Sequence, residues 1–174
     1  VLQRPEYLAA AKRARDYIIN HFIDSEYGGS YWSVDYLGNA KDTKKQFYAI
    51  GFMLYGMSEY VRAAITDLRT PQTEIEETIE ISFQLFDTIE VHSLDRINNG
   101  YIEAQTREWG EIADMRLSDL DANYPKSQNT HLHIMEPYTN LLRCLNEMET
   151  KGMSVDQNRK QQVADALRNI ICIF

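Results

Sequence analysis

The 174 residues, 44% hydrophobic and 25% charged, read as one globular domain with enough material for a sizeable core. A net charge of −8, with no Lys/Arg cluster to offset it, excludes phosphate-backbone binding and so a nucleic-acid partner. No apolar run approaches the roughly 18 residues a membrane span needs and no signal peptide is recognisable, so no membrane partner and a cytoplasmic location are expected.

In chain order, the spacing of apolar residues predicts a first helix over about Glu6–Phe22, with Leu8, Ala11, Ala14 or Arg15, Ile18 and Phe22 in period. The stretch SEYGGSYWSVDYLGNAKDT then predicts a short hairpin or extended loop: Gly28-Gly29 turns, Tyr31-Trp32-Ser33-Val34 alternates, and Leu37-Gly38-Asn39 turns again. Tyr31 and Trp32 read as packing residues, with stacking on a sugar face as the alternative. The second helix, about Lys44–Ile65, is apolar nearly all round, with Phe47, Ile50, Leu54, Met57 and Val61 on one side and Tyr48, Phe52 and Tyr55 beside them. Such a helix is expected to be buried on most faces. Tyr48, in its first turns, is also placed to reach a cavity.

The third helix, about Thr73–Val91, follows the stop signal TPQT and puts Ile75, Ile79, Phe83 and Phe86 in register. Asn99-Gly100 then turns into a short extended piece, Tyr101–Ala104. The fourth helix covers about Ser127–Glu147, and the fifth about Val155–Ile173 behind Ser154 as its cap. His21 and His92 fall at helix ends, where a cation suits the C-terminal dipole. Cys144 and Cys172 sit in apolar helical contexts and are expected as buried free thiols, a disulfide being the alternative. A chain that starts at Val1 and stops on the apolar run NIICIF is expected to be a segment of a longer architecture, and its C-terminal helix a surface for self-association.

Two blocks share a plan: amphipathic helix, Gly-containing turn, aromatic-bearing short strand, polar loop, largely buried helix. Outer and inner helices alternating in this way stack into solenoids or closed α/α toroids, so the fold class is all-α with short hairpin loops. In a toroid the first turn of the fourth helix would lie at a cavity mouth.

That helix, QNTHLHIMEPYTNLLR onward, carries the candidate chemistry. Asn129, His133, Glu136 and Asn140 recur at helical period, within about 40–60° of one line at roughly 100° per residue. A solvated face opposite the core would explain them. Against that, Leu132 and Ile134 flank the row, and an imidazole one turn from a carboxylate is a pairing suited to proton transfer. His131 and His133 point about 200° apart on a helix, so they do not chelate a metal together, and no third ligand is spaced to join His133 and Glu136. Pro137 removes the amide that would bond the His133 carbonyl, predicting a local kink.

The runs DMRLSDLDAN…SQNTHLHIMEPYTNLLR, EYGGSYWSVDYLGNAKDTKKQFYAIGFMLYGMSEYVRA and YIEAQTREW resemble the N-acylglucosamine 2-epimerase family, in its cellobiose 2-epimerase branch. The resemblance implies an (α/α)6 barrel, a small sugar or disaccharide substrate, and cofactor-free inversion at C2 of its reducing end through a cis-enediolate. An aldose–ketose isomerase on the same barrel, or a non-catalytic carbohydrate-binding remnant, are the alternatives. By the same resemblance, His133 and Asn129 match the family's Asn-x-x-x-His pair facing the sugar, Glu136 its acidic neighbour, and Tyr48 a pocket tyrosine. Pro137 departs from the small residue usual there. The family's proposed acid/base histidine pair with its glutamate, and an arginine, have no counterpart in this chain, which is therefore expected to be inactive alone.

Overall fold

A computed structural model describes residues 4–174. Five α-helices dominate: α1 (Pro5–Tyr17), α2 (Phe47–Ala64), α3 (Gln72–His92), α4 (Gln128–Thr150) and α5 (Gln157–Ile171). A π-helical turn, Ile18–Phe22, continues α1 to the predicted end. Helix α2 starts later than the apolar pattern suggests, because Lys45–Gln46 is β3, paired antiparallel with β4 (Ala104–Gln105). The cap of α5 is Asp156 and not Ser154; its carboxylate accepts from the amides of Asn158 and Arg159. Strands β1 (Ser33–Val34) and β2 (Ala40–Asp42) form the predicted hairpin. No described helix is long and apolar enough to cross a membrane.

Helices α2 and α4 form a central pair, with α1 and α3 packed on α2 and α5 on α4. Their shared core is made of Phe47, Ile50, Leu54, Met57 and Val61 from α2 and Ile134, Tyr138, Leu141 and Leu145 from α4. Each such side chain contributes roughly 1.5–3 kcal/mol on burial. The two helices approach most closely at Gly51, where an added Cβ would lie 2.7 Å from the His133 carbonyl oxygen. That carbonyl is the one Pro137 leaves without an in-helix donor, so the residue that removes a hydrogen bond and the residue without a side chain meet at one crossing. Helix α2 is buried on most faces, as expected, and has one open side, where Phe52 and Tyr55 are 42% and 37% exposed.

The repeat is carried by the turns. Ile23 bridges Ser30 as Leu94 bridges Tyr101. Asp24 accepts from the amides of Glu26 and Tyr27 as Asp95 accepts from those of Ile97 and Asn98. Left-handed backbone recurs at Gly28 and Asn99, and again at Gly38 and Trp109. A lysine closes each turn: Lys45 Nζ lies 2.8 Å from Asp24 Oδ2 and 2.7 Å from the Gly28 carbonyl. Lys126 makes the same two bonds to Asp95 and the Asn99 carbonyl.

The first of these clamps is fully buried and the second about a quarter exposed. Around Asp24, burial raises the carboxyl pKa, but the bonds from Arg107, Lys45 and two amides outweigh it and hold the carboxyl well below its usual range. Burial pulls the Lys45 pKa down against the opposing pull of Asp24. Of the cysteines, Cys144 is buried, its thiol pushed up to about 12 by desolvation. Cys172 is free and exposed, contrary to the expectation of burial. The C-terminal apolar cluster divides: Ile170 is buried, while Ile171 and Phe174 are about half exposed.

Candidate functional site

The α2–α4 pair has one face turned away from the core, and the sequence-predicted residues distribute unevenly over it. His133 is half-buried, its Nδ1 2.8 Å from Glu136 Oε2 one turn on. From α2, the Tyr48 ring meets the imidazole edge-on at 4.8 Å between centroids, and Phe52 meets it at 5.0 Å. Tyr48 and Phe52 contact each other at 4.9 Å. Asn129, in the first turn of α4, is exposed on the same helix line. Thus Tyr48, His133 and Glu136 come together, and Asn129 stands a turn away, exposed.

Asn140 does not belong to this face. It is 6% exposed, its Nδ2 donating to Ser58 Oγ at 2.9 Å and its Oδ1 accepting from Arg62 at 3.2 Å. Arg62 also forks onto Glu147 at 2.9 and 3.0 Å, so this end of the row is the polar lock between α2 and α4. Phe52, read from the sequence as core, is the residue the site gains. The all-round apolar character of α2 is the signal that could have marked it, since a helix with more apolar surface than its neighbours cover must present some to a ligand or partner.

His131 is part of the scaffold. Its Nδ1 donates to the Ser127 carbonyl at 2.6 Å and its Nε2 accepts the Tyr101 amide at 2.9 Å, which fixes the proton on Nδ1. Glu103, also buried, accepts from the Ser127 amide at 2.7 Å and from the Thr130 hydroxyl at 2.6 Å. Together they tie the second turn to the start of α4 and aim its exposed side. The rim loop is held by Lys44 donating to the Arg116 carbonyl and Gln46 to the Met115 carbonyl, each at 3.0 Å. His92 is not a helix-end cation. It stacks on Trp109 at 3.9 Å and 9°, and burial, then the Lys45 charge, lowers its pKa. Among the described residues no three His, Cys, Asp or Glu side chains converge as metal ligands.

With Nδ1–H turned to Glu136, the His133 ring is fixed in orientation and its Nε2 is left to accept or donate a proton. The aromatic rings beside it offer an apolar platform. The face thus sets an apolar aromatic platform beside an imidazole and a carboxylate.

No family model matches the chain. It is 56% identical over 143 residues to the cellobiose 2-epimerase of Bacteroides fragilis, a stretch covering 82% of this chain and 34% of that protein. The solved cellobiose 2-epimerase of Bacillus thermoamylovorans B4167 superposes with a TM-score of 0.81 and 32% identity, over 100% of this chain and 39% of that one. For the cellobiose 2-epimerase of Spirochaeta thermophila DSM 6192 the TM-score is 0.79 at 29% identity, over 99% and 38%. The chain therefore spans little more than a third of the length of the relatives it matches. The chain belongs to the N-acylglucosamine 2-epimerase family, in its cellobiose 2-epimerase branch, and constitutes part of that family's (α/α)6 barrel.

Proposed function

We propose that the complete protein carrying this chain is a sugar 2-epimerase of the cellobiose 2-epimerase type, and that the chain supplies one wall of its pocket. The supporting observation is the Tyr48–Phe52–His133–Glu136 cluster on the open face of a chain 56% identical to a cellobiose 2-epimerase over 143 residues. Epimerisation at C2 removes the proton α to the C1 carbonyl of the ring-opened sugar, forming a cis-enediolate, and returns a proton to the other face. The reaction is redox-neutral, so side chains that move protons and stabilise the oxyanion suffice. His133, held by Glu136, is positioned to exchange a proton with the sugar through Nε2. Asn129 is assigned to a sugar hydroxyl, and the Tyr48 and Phe52 rings to its apolar face.

The reaction type is tested by giving the complete protein cellobiose, N-acetylmannosamine and mannose in heavy water. A C2 epimer carrying deuterium at C2 is expected from at least one of them. Fructose from mannose, with no C2 epimer of any substrate, would replace the epimerase by an aldose–ketose isomerase. For the site, His133→Ala in the complete protein should lose at least about 100-fold in kcat with an unchanged circular dichroism spectrum. Full activity in that variant removes His133 from the chemistry.

A further inference from the structure

The chain contains one Asn-Gly pair, Asn99-Gly100, at the tip of the second turn. Asparagine before glycine is the pair most open to cyclisation, because no side chain on the second residue screens its amide nitrogen from the preceding carboxamide. Both residues are in the left-handed region, at φ 58° and 82°. The Gly100 nitrogen lies 2.7 Å from Asn99 Oδ1, against the carboxamide it would attack, and donates there instead of into a strand ladder. Asn99 is exposed. Its counterpart in the first turn, Gly28, is exposed too, and a Cβ there would meet nothing within 4 Å although Trp109 covers the adjacent Gly29. The tip of such a turn therefore stays open to water even where an aromatic ring caps the residue after it.

The Asn99 carboxamide also has a structural task. Its Nδ2 donates to Asn169 Oδ1 and its Oδ1 accepts from Asn169 Nδ2, each at 3.0 Å. Asn169 lies in the last turn of α5, next to the buried Ile170. This reciprocal amide pair fastens the end of α5 to the second turn. On the main chain, Lys126 Nζ holds the Asn99 carbonyl, and the Asp95 amide donates to the Gly100 carbonyl at 2.8 Å.

We propose that Asn99 is a site of spontaneous deamidation, and that the modification releases α5 from the second turn. The Gly100 nitrogen bonds to Asn99 Cγ, the Cγ–Nδ2 bond breaks, and ammonia leaves with the proton taken from that nitrogen. Water then opens the five-membered imide at one of its two carbonyls, leaving aspartate or isoaspartate, and nothing is oxidised or reduced. Either product puts a carboxylate oxygen where the amide group donated. That oxygen meets Asn169 Oδ1 acceptor against acceptor, so the reciprocal pair is lost. Isoaspartate also adds a methylene to the main chain and turns the carbonyl that Lys126 holds into a free carboxylate. The proposal concerns the ageing of this turn and stands whether or not the epimerase reading does.

The test is storage of the complete protein in mildly alkaline buffer, followed by peptide mass spectrometry of its asparagines and of amide hydrogen exchange along α5. Asn146 and Asn158, both exposed and followed by Glu147 and Arg159, serve as internal standards. Conversion at Asn99 to aspartate plus isoaspartate is expected at least about tenfold faster than at either standard, since only there is the following amide unscreened. The converted protein is expected to exchange the amides of residues 168–170 at least about threefold faster than the unconverted protein. Asn99→Gly keeps the left-handed backbone and removes the carboxamide, so it should exchange α5 as fast as the converted protein and gain no mass at this position. Conversion at Asn99 no faster than at Asn146 and Asn158 overturns the site. Unchanged exchange of α5 in the converted protein and in Asn99→Gly overturns the release.

Discussion

Asn129 and Asn140 carry the same side chain on the same ideal helix line, yet one is exposed and the other is locked between helices. Periodicity gives a residue's direction around its own helix, but not where a second helix crosses it. Here α2 crosses α4 beside Gly51, covering Asn140 and leaving Asn129 open. Asn140→Ala, which removes the bonds to Ser58 Oγ and Arg62 from the buried helix crossing, should cost about 1–3 kcal/mol in urea unfolding, whereas Asn129→Ala should stay within about 0.5 kcal/mol. Gly51→Ala should cost about 1–3 kcal/mol in the same assay, because its methyl meets backbone and not a flexible side chain. His92 provides the pH test. Its pKa is lowered in the fold, so the stability its neutral form contributes is present above the unfolded value near 6.5 and is lost as pH falls through the folded value. The melting temperature should drop on acidification below pH about 6.5, and His92→Phe, which keeps the stack on Trp109 without a titrating group, should flatten that slope.

Among the elements, the five helices were legible because each buries one stripe at a 3.6-residue period. The β3–β4 pair was not. Lys45 and Gln46 have no strand-like alternation, and their partners Ala104 and Gln105 lie far along the chain. The buried Lys45 was equally hidden, since lysine is read as solvated unless a partner is known. The signal was nonetheless present in DSEYGG and DRINNG, two Asp-led turns each ending in Gly and each followed by a lysine before an inner helix. The clamps predict unequal consequences. Lys45→Ala breaks a fully buried ion pair and should cost about 3–5 kcal/mol, while Lys126→Ala in the 174-residue chain should cost about 0–1 kcal/mol. Equal losses measured by urea unfolding would show that the two turns are held by something other than their ion pairs.

For the molecule as a whole, the unit plan was readable from composition and turn residues, and the resemblance supplied the barrel. The chemical division of labour follows from coverage. On the proposed function, a chain matching little more than a third of its relatives' length holds only one wall of the pocket, so the 174-residue polypeptide by itself should give no detectable epimer of cellobiose, while the complete protein turns over. Nuclear magnetic resonance of the sugar anomeric region distinguishes the two outcomes. The crossing of α2 and α4 has a mechanical consequence for such a pocket. Gly51 sits against the carbonyl of the residue that carries the imidazole, and Arg62 fastens the far end of the same pair. Tyr48, Phe52 and His133 therefore ride on one stiff plate and keep their mutual spacing when the protein breathes. If the proposed function holds, opening to admit a sugar comes from displacement of the rim loops or of the plate as a unit, and not from a change within the plate.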